Sequence, residues 1–146
     1  MSDLKNCNLQ QGDWLIPYHC DEPSRIRTIS YQEEPAGRWD CISFQKPFGT
    51  FFYPWECEPI PLTEDILRKN GIVLKEVGDH GVLTPPRDRD RFEKWFIHTQ
   101  WKDTYLYYDR LTKRYCLNGL NGVHFTYVHQ LQQALRFAGI DKEIEL

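Results

Sequence analysis

The chain has 146 residues, of which 40% are hydrophobic, 14% aromatic and 27% charged, with a formal net charge of -3; that is enough apolar mass for one ordinary core or two small ones. No apolar run approaches the roughly 20 residues that a membrane-crossing helix needs. A net charge of -3 is too small to imply a partner by itself, although the acidic balance of the first 60 residues weakens a reading of that half as a generic nucleic-acid clamp. The charge is uneven: residues 1–60 hold 5 Lys+Arg against 9 Asp+Glu, whereas residues 61–146 hold 13 against 12.

The opening stretch MSDLKNCNLQQGDW has no basic segment followed by an apolar one, so no secretory signal is expected and a cytoplasmic setting follows. Gly12-Asp13 marks a turn, and a strand begins at Trp14 that Pro17 ends or confines to a sheet edge. A second strand is predicted from Arg25 to Tyr31, after the turn signal Asp21-Glu22-Pro23-Ser24. Beyond the turn residues Glu33 to Gly37, strands are predicted at Trp39–Phe44 and Thr50–Tyr53, separated by Lys46-Pro47-Phe48-Gly49. Short strands spaced by about ten residues predict a small, strongly bent sheet or barrel of the SH3-like kind over residues 1–60.

The joint CEPIPLTEDILRKNGI, Cys57 to Ile72, is the best-punctuated stretch. Pro59 and Pro61 force an extended run from Glu58 to Leu62. Thr63 then caps a short helix, with Glu64 and Asp65 in the first turn, Arg68 and Lys69 in the last, and Gly71 closing it in the left-handed conformation. A strand at Ile72–Val77 leads to the turn Gly78-Asp79-His80-Gly81 and an irregular loop at 84–90. Phe92–Thr99, Thr104–Asp109 and Arg114–Leu117 read as an antiparallel meander. In its first strand Glu93, Trp95, Ile97 and Thr99 share one face, and Phe92, Lys94, Phe96 and His98 the other. The last helix is predicted over Tyr127–Ala138, with Val128, Leu131, Leu135 and Ala138 as its apolar stripe, Thr126 as its cap and Gly139 as its end. Ile140, Ile144 and Leu146 alternate with charge, so the tail is expected to pack. The predicted fold class is α+β: an SH3-like β-barrel over 1–60, then helix, antiparallel β-meander and C-terminal helix over 61–146.

Gly12-Asp13-Trp14-Leu15, the run from Glu58-Pro59-Ile60-Pro61-Leu62-Thr63 to Lys69-Asn70-Gly71, and Tyr127-Val128-His129-Gln130-Leu131-Gln132 through Gly139-Ile140 occur in this order. They resemble an uncharacterised family of small proteins common in gut Bacteroidetes genomes and among their prophages and mobile elements. The resemblance covers both ends and the joint, leaves out about 75–122, and implies a bacterial or phage origin without an activity.

Candidate chemistry is sparse. Cys7, Cys20, Cys41, Cys57 and Cys116 are odd in number and irregular in spacing, so they read as free thiols and small core hydrophobes. No Cys-x-x-Cys or His-x-x-x-His spacing offers a zinc site, and no cofactor or metal is expected. Cys116 with His129 would be a nucleophile and base only with an orienting group that the sequence does not supply, and His129 reads instead as a packing or capping residue. The basic, aromatic middle is the better candidate. Arg87, Arg89, Arg91, Lys94, Lys102, Arg110, Lys113 and Arg114 face five acids over that stretch, with Trp101, Tyr105, Tyr107, Tyr108 and Tyr115 among them. Rings beside cations on a sheet stack bases and neutralise phosphates; exposed Trp, Tyr and Arg also anchor protein interfaces; and an ordinary solvated sheet has the same composition. The first reading is a non-enzymatic protein-binding or adaptor module that uses Trp101, Tyr105, Tyr107, Arg110, Lys113 and Arg114, with a protein partner or a homodimer and no membrane. Nucleic-acid binding is the alternative, and sequestering a small signalling molecule, as counter-defence proteins do, is a further variant.

Overall fold

The computed structural model describes residues 9–34, 37–78, 90–100, 103–120 and 122–146; at 31–34, 37–40, 76 and 78 it describes the backbone alone. Among the described residues two antiparallel sheets and two α-helices make an α+β arrangement. By contact density it divides into two units, Met1–Pro61 with Tyr127–His129, and Leu62–Thr126 with Gln130–Leu146. No described helix is long and apolar enough to cross a membrane.

In the first unit Trp14–Leu15 (β1), Ser24–Glu34 (β2), Gly37–Phe44 (β3) and Phe51–Phe52 (β4) pair in the order β1-β2-β3-β4. The β2–β3 hairpin sets Ile26 opposite Phe44 and Ile29 opposite Ile42, with an irregularity at Arg27. Alternation then gathers Leu15, Ile26, Ile42, Phe44 and Phe52 with Cys57 into one core. After β4 the chain makes a 3-10 turn at Pro54–Glu56, in which the Glu56 carboxylate accepts the Tyr53 N–H at 3.2 Å. Glu58 and Ile16 then exchange both backbone hydrogen bonds at 2.9 Å. The named strands form an open sheet, not the closed barrel expected from their spacing. The physical reason is length: β1 and β4 span two residues each, and a 3-10 turn follows β4 where a longer strand would have to run.

The extended run after Cys57 is used for pairing. Ile60 O accepts the Val128 N–H at 2.8 Å, Leu62 N–H donates to Thr126 O at 2.9 Å, and Pro61 bridges Tyr127. Residues 58, 60 and 62 make the bonds, so Pro59 and Pro61 fall on positions where a missing N–H costs no ladder bond.

In the second unit the helix Glu64–Lys69 (α1) starts where Thr63 Oγ1 accepts the Ile66 N–H at 3.3 Å. It stops where Gly71 N–H meets Arg68 O and Ile72 N–H meets Leu67 O, both at 3.0 Å. Gly71 sits at φ +72, a left-handed value that a side chain would strain. Val73–Gly78 (β5), Phe92–Ile97 (β6), Thr104–Asp109 (β7), Arg114–Leu117 (β8) and His124–Phe125 (β9) follow as a meander in sequence order. The final helix, Val128–Phe137 (α2), closes as α1 does, with Gly139 N–H on Arg136 O and Ile140 N–H on Leu135 O. Its Leu131 and Leu135 are buried, as are Ile140 and Ile144 beyond it. The tail is pinned as well: Asn70 Oδ1 accepts the Glu145 N–H and Asn70 Nδ2 donates to Glu145 O, both at 2.7 Å.

Candidate binding face

The register of the second sheet sorts its side chains into two faces. Trp95, Leu106 and Leu117 share a row, Ile97 pairs with Thr104, and Tyr115 with Phe125; all seven are buried. The Arg68 guanidinium lies 5.3 Å from the Trp95 ring centroid, which places the last turn of α1 on this inner face. Glu93 also points inward. Its Oε1 accepts the Trp95 indole N–H at 3.1 Å, and its Oε2 takes the Arg110 Nε and Nη2 donors at 3.0 and 2.8 Å. Tyr108 stands opposite Tyr115 with ring centroids 4.6 Å apart, and burial pushes the Tyr115 phenol up from its ordinary range.

The opposite face is aromatic and cationic. Phe96 is paired with Tyr105 across β6 and β7, with ring centroids 5.6 Å apart. Tyr107 follows Tyr105 on the same side of its strand, opposite Lys94. The Lys94 ammonium lies 4.0 Å from the Tyr105 centroid and Lys75 lies 5.1 Å from that of Phe96, so a cation stands over each of these two rings. The three rings are partly exposed and Lys75 is exposed. In the next row Asp109 lies between Phe92 and Arg114. It is held by Arg91 through two hydrogen bonds of 2.9 and 2.8 Å, and the Arg91 guanidinium lies 4.9 Å from the Phe92 centroid. The Arg91 hydrogen bond holds the Asp109 carboxyl at about 2, below its ordinary 3.8. Asp103 Oδ1 accepts from His98 Nδ1–H at 2.7 Å, and the His98 ring lies 6.1 Å from Phe96.

The predicted binding residues are dispersed by this arrangement. Tyr105 and Tyr107 come together with a lysine, not with the arginines. Arg110 is tied back to Glu93. Lys113 lies in the β7–β8 turn in the left-handed conformation, at φ +59, its N–H donating to Asp109 O at 2.7 Å. Arg114 is exposed in the outermost row of the outer face. Trp101 lies outside the described residues, as do Arg87, Arg89 and Lys102. Phe96 and Lys75 complete the cluster and were missing from the predicted set. The alternation of β6 carries the signal for Phe96, whereas Lys75 reaches its ring from an irregular position between Leu74 and Glu76, and periodicity does not show that.

Cys20, Cys41, Cys57 and Cys116 are reduced thiols, outside any disulfide; Cys7 lies outside the described residues. Burial pushes the Cys57 thiol up to about 12. Burial also raises Cys116, whose Sγ–H donates to Leu120 O at 3.5 Å. Burial lowers His129 to about 4, so thiol and imidazole are both neutral at pH 7, the reverse of what an activated thiolate needs. Among the described residues no group of three His, Cys, Asp or Glu is placed to hold a metal ion. No family model, curated protein or solved structure matches this chain.

Proposed function

We propose that the protein is a non-enzymatic binding or adaptor protein that engages its partner through the outer face of the second sheet, at Phe96, Tyr105 and Tyr107 with Lys75, Lys94 and Arg114. The observation that carries this reading is the contiguous pair of partly exposed rings, Phe96 and Tyr105, with a lysine over each. Burying an aromatic body against a partner is among the largest single contributions to recognition. Support also comes from the neutral state of Cys57, Cys116 and His129: neither of these two thiols is an activated nucleophile. An SH3-like half-barrel is the finer reading of the first unit: a four-stranded sheet, a 3-10 turn, and a return to the end of β1 through the Ile16–Glu58 pair. A cytoplasmic setting and membership of the small Bacteroidetes and prophage family belong to the same proposal.

Photo-crosslinking tests it. A benzophenone side chain at position 107, expressed in the natural host, should yield a discrete crosslinked adduct, and the same group at Leu111, an exposed tip of the β7–β8 turn, should not. Equal labelling from both positions, or none from position 107, overturns the assignment of the face.

A further inference from the structure

We infer that the occupant of this face is single-stranded nucleic acid, with two or three successive bases stacked on Phe96, Tyr105 and Tyr107 and the connecting phosphates held by Lys75, Lys94 and Arg114; the inference rests on the binding-face reading above. Spacing is the first argument. Phe96 and Tyr105 are 5.6 Å apart across the strands, and Tyr105 and Tyr107 are two residues apart along one strand, a rise of about 7 Å. Bases of an extended single strand can lie on such rings one after another, and every base has a face to offer.

Charge is the second argument. Of the acids that the register places on this side, Asp109 is bound by Arg91; Asp103, just before β7, is paired with His98, and Glu93 is turned to the inner face with Arg110. Glu76 stands opposite Lys94 in register, so against it the face offers Lys75, Lys94 and Arg114. This local positive field lies on a chain of net charge -3, so the cations mark the face and not the whole surface. The third argument separates this occupant from a protein. Lysine is depleted at the cores of protein interfaces, where aromatic and aliphatic anchors enter dry pockets. Here lysines sit directly on the rings. A base that stacks on Tyr105 or Phe96 takes the place of the ammonium over that ring, and the displaced lysine is within reach of the neighbouring phosphate.

Fluorescence anisotropy with labelled 12-nucleotide oligo-dT and oligo-U, and with a duplex of the same length, tests this on the full chain. The single strands should bind and the duplex should bind at least tenfold more weakly. With three phosphates neutralised, log affinity should fall with log salt with a slope of about -2. Tyr105→Ala and Phe96→Ala should each weaken binding about 5- to 100-fold, with circular dichroism confirming the fold. Arg110→Ala, which removes a cation turned away from the face, should leave affinity within twofold. Should the duplex bind as well as the single strands, or Tyr105→Leu bind as well as wild type, stacking is overturned. Absence of single-strand binding alongside a protein adduct from position 107 overturns this inference and leaves the binding face standing. Absence of both removes the face itself.

Discussion

Both sheets of this protein set cations over aromatic rings, and they do it in different ways. In the first unit Arg25 lies 4.9 Å from the Trp14 centroid and Arg27 lies 4.4 Å from that of Phe48. Each is a separate pair, one on the two-residue strand β1 and one on a loop before β4. In the second unit Lys75, Phe96, Tyr105 and Lys94 form a continuous run across three strands. The composition of the two is alike; the continuity is not. A single ring with its own arginine offers only one isolated aromatic, whereas adjacent rings on one face make an area wide enough for a ligand. What turns aromatic content into a candidate surface is the register of neighbouring strands.

The inner faces should behave alike, which gives the comparison its baseline. Phe44 in the first core and Trp95 in the second are fully buried. Phe44→Ala and Trp95→Ala should each destabilise the protein by about 3–5 kcal/mol, as large aromatic truncations in cores do. Urea unfolding followed by tryptophan fluorescence for the first and by circular dichroism for the second measures this. A cost below about 1 kcal/mol for either would mean that its sheet does not hold that core.

Acid separates the two units more sharply. His129, assigned to the first unit, is kept neutral by burial, with its value lowered from 6.5 to about 4. The unfolded chain therefore binds the proton more readily, so stability is full above pH 6.5 and falls as pH drops towards 4, by about 2–3 kcal/mol. Asp109, in the second unit, is lowered from 3.8 to about 2, chiefly by its hydrogen bond from Arg91. Its contribution is present above pH 3.8 and is lost as pH falls towards 2, about 1–2 kcal/mol after allowance for solvent screening. Denaturation midpoints measured from pH 7.5 to pH 2 should show both losses. His129→Gln should flatten the first and Asp109→Asn the second. If the upper loss survives His129→Gln, another group is responsible for it.

How much of this was legible in the sequence depended on how local the cause was. Thr63, Gly71 and Gly139 signal helix ends through groups within a few residues, and α1 and the end of α2 lie where those residues predict. The meander strands β7 and β8 coincide with their predicted bounds, because turn residues flank them on both sides. The 3-10 turn at Pro54–Glu56 and the two-residue β9 escaped, since so short an element has no period to read. The candidate site was half legible. Tyr105 and Tyr107 follow from alternation alone, but the partner of Arg110 is Glu93, 17 residues earlier, and the site of Lys75 depends on an irregular pairing with β6. Charge counted along the chain assigned Arg110 to the face; its hydrogen bonds to Glu93, which the register places on the other side, tie it there instead.

The smallest expected effect tests the opening contrast most directly. Double-mutant cycles with Lys94→Gln and Tyr105→Leu, and with Arg27→Gln and Phe48→Leu, measure the coupling of one pair from each sheet. Tyr105 is partly buried between Phe96 and Lys94, so its ring and the ammonium share a partly desolvated setting, and a coupling of about 0.5–1 kcal/mol is expected. Phe48 is 72% exposed, so water competes for both members of its pair and the coupling should lie below about 0.5 kcal/mol. The order of the two values is the informative result. A larger coupling for Arg27–Phe48 would mean that proximity of a cation to a ring, and not the continuity of the ring array, sets the energetics, and the second sheet would lose its claim to differ from the first.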